Sequence, residues 1–394
     1  MNYVTTTAEL NRLCKIWQQL PFITIDLEFL REHTYYAKLC LIQVGSTAEC
    51  AVIDPLSSEL DLQAFFALLQ NPDIVKVFHS GRQDVEILYF LTGKIPAPLF
   101  DTQIAAMVLG FGESVSYETL VRHMLHRELD KTCRLSDWSR RPLTEQQLFY
   151  ALSDVTHLVE IYQKQSRLLK RLKREDWITD ELNILRNPKT YEIKPEDAWL
   201  RIHHRSHNPR FLTIVKELAA WREERSQRRN TPRQSFIKDD TLLQIATDFP
   251  QTIDDLTKVR SIRREVAEGK LGLEIIEVLH HCLQIPACDY VTPPREPQLP
   301  SNKSALFMLL KLLLKIKSLQ HRVVARLIAS DDDLLRFAAR QSKNLPLMQG
   351  WRYEIFGHDA EELCRGNLSL TYNPVKKDIE FKNCSSVAEV TPES

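Results

Sequence analysis

The sequence has 394 residues, of which 43% are hydrophobic and 26% are charged, and its formal net charge is zero. The length favours two or three domains, and the composition is that of a globular protein with buried cores. The zero net charge excludes binding to nucleic acid through the overall field of the protein, so any such binding must come from local basic patches.

The chain shows no pattern of export or membrane insertion. Its first residues, MNYVTTTAELNRLCKIWQQL, lack a basic segment followed by an apolar core, so we expect no secretory signal. The richest apolar run, ALFMLLKLLLKIKSL near residue 310, is interrupted by lysines and predicts an amphipathic helix rather than a membrane span. The 8 cysteines are scattered without zinc-ligand spacing, which favours free thiols in a reducing cytoplasm.

The first half of the chain alternates between strand and helix patterns. Residues 22 to 54 contain three predicted strands, FITIDLEF, AKLCLIQVG and CAVIDP. They are followed by a helix in DLQAFFALLQ, a strand in IVKVFHS, a helix in SGRQDVEILYFL and a long helix that begins near Thr144 and ends in LLKRLKRE. This order predicts an α/β domain with a mixed sheet flanked by helices.

The first of these strands carries two acids, Asp26 and Glu28. Strand side chains two positions apart point to the same face, so the two carboxylates lie side by side. Two anions at this distance repel, and one of them stays protonated unless a positive charge lies between them. A divalent metal ion is one explanation of the pair. The alternative is a strand end at which both acids lie in solvent.

A third acid, Asp84, follows the predicted strand that ends near His79. Ser80 and Gln83 have the spacing of a capping box, which places Asp84 in the first turns of a helix. A helix that emerges from a strand end is a usual place for a site in an open α/β sheet. The alternative is an ordinary acid that is stabilised by the helix dipole.

A fourth acid, Asp154, lies on the long helix. Thr144 and Gln147 form a second predicted capping box at the start of this helix. Tyr150 and Asp154 are four residues apart and therefore share one face, with apolar residues around them. An acid close to a buried face needs a partner. The alternative is a surface acid with a tyrosine packed beside it.

The four acids and the tyrosine together resemble the DEDD exonucleases, in the subclass that uses tyrosine. The histidine subclass would need His at position 149, where this chain has Phe149. The segments DLEFLREHTYYAKLCLIQVG, HSGRQDVEIL, ELDKTCRLSDWSRRPLT and YALSDV are similar to the bacterial ribonuclease D family. This resemblance implies a ribonuclease H-like exonuclease domain and a 3′–5′ exoribonuclease that releases nucleoside 5′-monophosphates.

The resemblance also implies two divalent metal ions, Mg²⁺ or Mn²⁺, as cofactors. Asp26, Glu28 and Asp154 would hold the ion that carries the attacking water. Asp26 would also bridge to the second ion, with Asp84 in support. Tyr150 would orient the water, because a phenol is a weak base at neutral pH.

Further residues are candidates for substrate binding. His79, Gln83 and Tyr117 are expected next to the acids, and Arg140 and Arg141 precede the long helix, where they are expected to contact phosphates. The basic runs WREERSQRR and RLLKRLKRE either follow a phosphate backbone or form solvated helix faces. The implied partner is RNA with an accessible 3′ end, with tRNA precursors as the substrate that the family suggests, bound by a monomer.

Beyond a polar linker, RNPKTYEIKPED, the strand patterns end and the chain is predicted to be entirely helical. A proline-rich segment, PACDYVTPPREPQLPSNK, divides this part in two. The motif DDTLLQIA at 239–246 recurs as DDDLLRFA at 331–338, with an acidic N-cap candidate in both copies. We therefore expect two copies of a small helical module, followed by a disordered tail.

These modules resemble the helicase and RNase D C-terminal (HRDC) domain in the segments KELAAWREERSQRRNTPRQSFIKDDTLLQIA and GWRYEIFGHDAEEL. The predicted boundaries are 1–190 for the exonuclease domain, 205–286 for the first HRDC domain, 303–376 for a second HRDC-like domain and 377–394 for the tail.

Two other functions fit parts of the pattern. A 3′–5′ DNA exonuclease would use the same acids, because discrimination between the sugars needs a contact to the 2′-OH that no single residue reveals. A non-enzymatic RNA-binding protein on an inactive nuclease scaffold is the other, and the presence of all four acids and the tyrosine argues against it.

Overall fold

The computed structural model describes residues 2–129, 133, 136–292, 304–340 and 344–384. The strands are β1 (Asn2–Val4), β2 (Phe22–Leu30), β3 (Lys38–Gly45), β4 (Ala51–Ile53), β5 (Val75–Phe78), β6 (Leu99–Asp101), β7 (Leu368–Asn373) and β8 (Asp378–Asn383). The helices of the first half are α1 (Thr7–Trp17), α2 (Gln63–Leu69), α3 (Arg82–Thr92), α4 (Thr102–Val108), α5 (Tyr117–Leu120), α6 (Glu145–Leu172) and α7 (Glu175–Leu185).

The helices of the second half are α8 (Pro209–Arg229), α9 (Arg233–Phe236), α10 (Asp239–Asp248), α11 (Ile253–Leu256), α12 (Arg264–Ala267), α13 (Lys270–Gln284), α14 (Ser304–His321), α15 (Ala325–Ile328), α16 (Asp331–Ala338), α17 (Gly350–Arg352) and α18 (His358–Arg365). Within the ranges described, no helix is both long and apolar enough to cross a membrane.

A mixed six-stranded sheet forms the centre of the first domain, in the order β1-β4-β3-β2-β5-β6. β3 is antiparallel to β2 and β4, and the other neighbouring pairs are parallel. The predicted α/β domain with a mixed sheet and flanking helices is therefore confirmed. The prediction missed β1 (NYV) and β6 (LFD), which are three residues long and, unlike the equally short β4 (AVI), are not continuous apolar runs.

The two predicted capping boxes differ in outcome. The box at the start of α6 is confirmed, since Thr144 Oγ1 accepts from the amide of Gln147 at 3.2 Å and the Gln147 side chain accepts from the amide of Thr144 at 3.0 Å. The box before α3 is wrong, because Ser80 lies in the left-handed region with a φ of 55° and Gly81 is the N-cap.

The helical modules form their cores in different ways. Helices α8, α10 and α13 bury a cluster of their own around Leu218, Ile245 and Leu279. The region that follows shares a continuous core with the α/β domain, and Trp177 of α7 stacks on Trp351 of α17 with ring centroids 4.3 Å apart. The first module is therefore a separate packing unit, and the second is built onto the α/β domain.

The two related motifs form α10 and α16, as predicted. The predicted acidic N-caps are wrong: Asp239 and Asp331 are the first helical residues, and Lys238 and Ser330 are the N-caps. Ser330 forms a capping box with Asp333, so a serine hydroxyl, and not the predicted acid, caps α16.

The end of the chain corrects two predictions. The second helical part is not entirely α, because β7 and β8 pair as an antiparallel hairpin, and the tail does not begin at 377, because residues 378–383 form β8. The physical reason is the alternation of apolar residues, which pairs Leu370 with Phe381. The rest of the predicted tail from 385, and 293–303 of the proline-rich segment, lie outside the described residues.

Candidate active site

Three of the predicted acids meet at the end of β2. Asp26 and Glu28 project from one face of the strand, while Leu27 is buried on the other. Asp154 approaches them from α6. One carboxylate oxygen of each of the three residues lies within 4.8 Å of the other two, and all three side chains are partly buried. This distance suits shared coordination of a cation and is unfavourable for three bare anions.

The position of α6 on the sheet depends on a close backbone approach. The hydroxyl of Thr24 donates to the backbone carbonyl of Val155 over 2.8 Å. A Cβ atom on Gly45 would lie 2.6 Å from the same carbonyl, so only glycine permits this contact. Because Val155 follows Asp154 directly, the contact determines how near Asp154 comes to β2. Neither Thr24 nor Gly45 was identified from the sequence, although an isolated glycine in a strand is a signal of close approach.

The fourth acid, Asp84, is buried in the first turn of α3 with 8% of its surface exposed. The turn before this helix is held by Asp101, whose carboxylate accepts from the amides of Ser80 and Gly81 at 3.2 and 2.8 Å. The same carboxylate caps α4 by accepting from the amide of Gln103 at 2.8 Å. Asp101 therefore fixes the turn before α3, and neither this contact nor the position of Asp101 at the end of β6 was predicted from the sequence.

The electrostatics of the site favour a bound cation. Burial, followed by the charges of the neighbouring acids, raises the pKa of Glu28 to about 9. Burial and the charge of Asp26 raise the pKa of Asp154 to about 8 and that of Asp84 well above its ordinary value, and burial raises the pKa of Asp26 to about 6. Among the described residues, no lysine or arginine contributes to the pKa of any of these four acids. Each pKa is raised because the ionised carboxylates lack a compensating charge.

Two tyrosines and a histidine complete a cavity of about 150 Å³ beside the acids. The residues that line it are Asp26, His79, Tyr117, Tyr150, Asp154 and Leu158. The Tyr150 hydroxyl hydrogen-bonds to the Asp154 carboxylate, which offsets part of the rise in the pKa of Asp154, and burial raises the pKa of the tyrosine itself. The structure thus brings five of the predicted residues to one cavity.

Tyr117 and His79 are fixed from behind. The Tyr117 hydroxyl donates to the backbone carbonyl of Asp154, and its ring contacts the ring of His79 with centroids 5.3 Å apart. Nδ1 of His79 lies 2.9 Å from the hydroxyl of Thr102, which donates in turn to the carbonyl of Phe78. Burial lowers the pKa of His79, which favours the neutral ring.

The other predicted substrate contacts lie elsewhere. Gln83 is exposed on α3 and does not line the cavity, and Arg140 is exposed and bound to Asp137 at 3.1 Å. Arg141, the other arginine predicted to contact phosphate, is bound to groups within the domain. Its guanidinium donates twice to the buried carboxylate of Asp54 at 2.6 Å and once to the carbonyl of Cys40 at 2.8 Å. The Arg141 guanidinium therefore forms an ion pair with Asp54 within the domain.

The donor set fits divalent cations that prefer oxygen ligands. Asp26, Glu28, Asp84 and Asp154 offer carboxylate oxygens only, with no thiolate or imidazole among them, which suits Mg²⁺ or Mn²⁺ better than zinc. The raised pKa values indicate that a cation would also stabilise the ionised forms of these four acids.

Comparison with known families finds two matches along the chain. Residues 1–170 match the family model described as 3′-5′ exonuclease. Residues 211–279 match the HRDC domain, inside the first of the two predicted modules. The first match includes β1 to β6 and all four acids.

Similarity to individual proteins extends over nearly the whole chain. The chain is 44% identical to a ribonuclease D of Acidiphilium cryptum, and the match covers 93% of this chain and 94% of the relative. It is 42% identical to a ribonuclease D of Nitrobacter hamburgensis, and that match covers 94% of this chain and 97% of the relative. Among solved structures, the Escherichia coli RNase D, described as an exoribonuclease involved in structured RNA processing, superposes with a TM-score of 0.80 at 28% identity. The superposition covers 93% of this chain and 99% of the E. coli chain.

Proposed function

Because the chain belongs to the ribonuclease D family and is a 3′–5′ exoribonuclease, we propose that it shortens RNA by hydrolysis with two divalent metal ions. Each turnover releases a nucleoside 5′-monophosphate from an accessible 3′ end. The E. coli relative is described as acting in structured RNA processing, which supports tRNA precursors as the substrate, since these are structured RNAs with 3′ extensions.

The observation that carries the proposal is the cluster of Asp26, Glu28 and Asp154, with carboxylate oxygens within 4.8 Å of one another. A protein gains no stability from three partly buried acids without a countercharge. Such an arrangement is expected where function requires it. Phosphodiester hydrolysis is such a function, because its transition state carries negative charge that divalent cations neutralise.

The residues of the site have separate roles in this proposal. Asp26, Glu28, Asp84 and Asp154 hold the ions, Mg²⁺ or Mn²⁺, which when bound supply an activated water and neutralise the scissile phosphate. Tyr150 remains protonated, since burial raises its pKa, and its hydroxyl orients the attacking water by a hydrogen bond. This role for Tyr150 corresponds to the tyrosine subclass of the DEDD exonucleases.

The remaining residues of the cavity are proposed to contact the substrate. Tyr117 and His79 line the cavity beside the acids, where an RNA 3′ end must enter to reach them. Gln83, exposed one residue before Asp84, and Arg140, exposed ahead of α6, are proposed to reach the RNA outside the cavity.

We also propose that the region 303–376 derives from a second HRDC module, which the related helices α10 and α16 support. A single chain carries all four acids and Tyr150, which supports action as a monomer. Its cysteines are present as thiols and not as disulfides, which supports a reducing compartment such as the cytoplasm.

A digestion assay tests the function. A 5′-labelled RNA with an unpaired 3′ tail, and the DNA of the same sequence, are incubated with the protein in Mg²⁺ or in EDTA. We expect a ladder that shortens from the 3′ end of the RNA in Mg²⁺ alone. The Asp26→Asn variant is expected to lose activity by orders of magnitude while it keeps its fold.

Other outcomes would change the assignment. Equal or faster digestion of the DNA would favour a DNA exonuclease. Binding of RNA without digestion would mean that the acids no longer catalyse and that the helical modules carry the function. Full activity of Asp26→Asn would reject the assignment of the site.

A further inference from the structure

The loop between β2 and β3, residues 31–37, connects the active site to the first helical module. It begins three residues after Glu28. On one side, Arg31 pairs with Glu86 of α3 through bonds of 2.6 and 3.1 Å, and the ring of Tyr36 contacts that of Phe90 with centroids 4.8 Å apart. These contacts tie the loop to α3, the helix that carries Asp84.

On its other side, the loop is bound to α8 by a buried charge. Glu223 of α8 has no exposed surface, and its carboxylate accepts from the Tyr35 hydroxyl and from Arg233, with one Arg233 bond of 2.6 Å. The Arg233 guanidinium also lies over the Tyr35 ring, 4.8 Å from its centroid. Burial opposes ionisation of Glu223, but the bonds from Arg233 and Tyr35 outweigh it and lower its pKa.

Two further bonds complete this contact. Gln227 donates to the Tyr35 hydroxyl at 3.2 Å and to the carbonyl of Ile193 at 2.9 Å. The side chain of Asn230, at the end of α8, accepts from the backbone amide of Tyr36 at 2.9 Å. A loop that crosses between two domains is thus held through both side chain and backbone. Breaking one partner of a buried charge pair is costly, which makes the contact rigid.

We propose that the first helical module positions the catalytic acids: Glu223 and Arg233 hold Tyr35, and through it the β2–β3 loop keeps Glu28 and Asp84 at the spacing that the metal ions require. The proposal rests on the function proposed above. It makes Tyr35, Glu223 and Arg233 positioning residues, none of which touches the substrate or the ions. Removal of the contact therefore weakens metal binding and slows hydrolysis without loss of RNA affinity.

The test uses the full-length protein with Tyr35→Phe, which removes only the hydroxyl, Tyr35→Ala, which also removes the ring, and Glu223→Gln. The matched control is Asp239→Asn. This variant breaks the 2.6 Å ion pair between Asp239 and Arg222, the neighbour of Glu223 on α8, and Asp239 itself makes no contact with the loop. Thermal melting shows which variants are folded, and Tyr35→Phe keeps the packing of the site if the stronger variants unfold.

Mn²⁺ binding is measured by electron paramagnetic resonance, RNA affinity by titration in EDTA, and the hydrolysis rate in single turnovers at saturating RNA. We expect Mn²⁺ affinity to fall about tenfold in Tyr35→Ala and Glu223→Gln, and less in Tyr35→Phe, with a slower rate and unchanged RNA affinity. The control is expected to match the wild type in all three measurements.

Two results would overturn the proposal. In the first, the folded variants bind Mn²⁺ and hydrolyse RNA as well as the wild type does. In the second, the variants lose only RNA affinity, which would mean that the contact serves RNA binding. If the wild type failed to digest RNA, the proposed function would fall, while the Mn²⁺ measurement would still decide whether the module positions the acids.

Discussion

The hydroxyl of Thr24 donates a 2.8 Å hydrogen bond to the backbone carbonyl of Val155, 131 residues later in the chain. This bond joins β2 to α6 one residue away from Asp154. Both partners are buried, so that neither water nor another side chain easily replaces the bond. The distance between the acids of the strand and the acid of the helix therefore depends on a contact that involves none of them.

Replacement of Thr24 by valine tests this dependence. Valine has nearly the same shape but no hydroxyl, so we expect Thr24→Val to lower the free energy of unfolding by about 1–2 kcal/mol. Because α6 is no longer held at this point, we also expect kcat to fall by about tenfold or more. Urea unfolding and single-turnover rates measure the two effects. Thr24→Ser retains the hydroxyl and serves as the control; a rate equal to that of the wild type in Thr24→Val would contradict the expectation.

The acids make the stability of the metal-free protein depend on pH. The pKa of Glu28 is raised from 4.5 to about 9 and that of Asp154 from 3.8 to about 8. Between the ordinary and the raised values the folded protein binds more protons than the unfolded chain, so stability falls as pH rises from about 4 to about 9. We expect the melting temperature in EDTA to decrease over this range.

A divalent cation should cancel this effect, because it stabilises the ionised acids. The rise in melting temperature on addition of Mg²⁺ is therefore expected to be larger at pH 8.5 than at pH 6. Glu28→Gln removes one of the titrating groups and should flatten the decrease in EDTA. A wild-type melting temperature in EDTA that rises with pH through this range would show that the acids are compensated by other groups.

Tyr150 is expected to act on the rate and not on binding. Tyr150→Phe removes the hydroxyl that orients the water, and we expect kcat to fall by about 100-fold with little change in KM. The matched control is Tyr162→Phe on the same helix, since Tyr162 packs on Phe22 and Phe100 outside the cavity. Steady-state kinetics on a short RNA distinguish the two variants. A change confined to KM would assign Tyr150 to substrate binding instead.

The two arginines ahead of α6 are expected to behave differently. Arg141→Ala leaves the buried carboxylate of Asp54 without its countercharge, so we expect a loss of about 2–3 kcal/mol in the free energy of unfolding. Arg140→Ala, at an exposed pair, should leave stability unchanged and weaken RNA binding. Urea unfolding and RNA titration at two salt concentrations separate these effects, and the reverse pattern would identify Arg141, and not Arg140, as the phosphate contact.

The sequence by itself determined much of the local structure. The alternation of side chains in β2, the apolar run of β3 and the capping box of α6 each show within a short stretch of sequence, and the structure agrees with all three. The three acids that meet in the structure, Asp26, Glu28 and Asp154, could also be proposed in advance, because D-x-E and Y-x-x-x-D together resemble the DEDD exonucleases. A period of two or of 3.6 residues is sufficient to state which side chains share a face.

Only the tertiary structure decided which of these faces meet and what holds them together. Asp54 binds Arg141, which is 87 residues away in the chain, and Glu223 binds Tyr35, which is 188 residues away. Asp101 fixes the turn before α3 by accepting from the amide of Gly81. No spacing along the chain encodes such pairs, because each depends on the packing of separate elements. A buried charge is stabilised by the partner that the fold brings within hydrogen-bond distance, and this partner can be far away along the sequence.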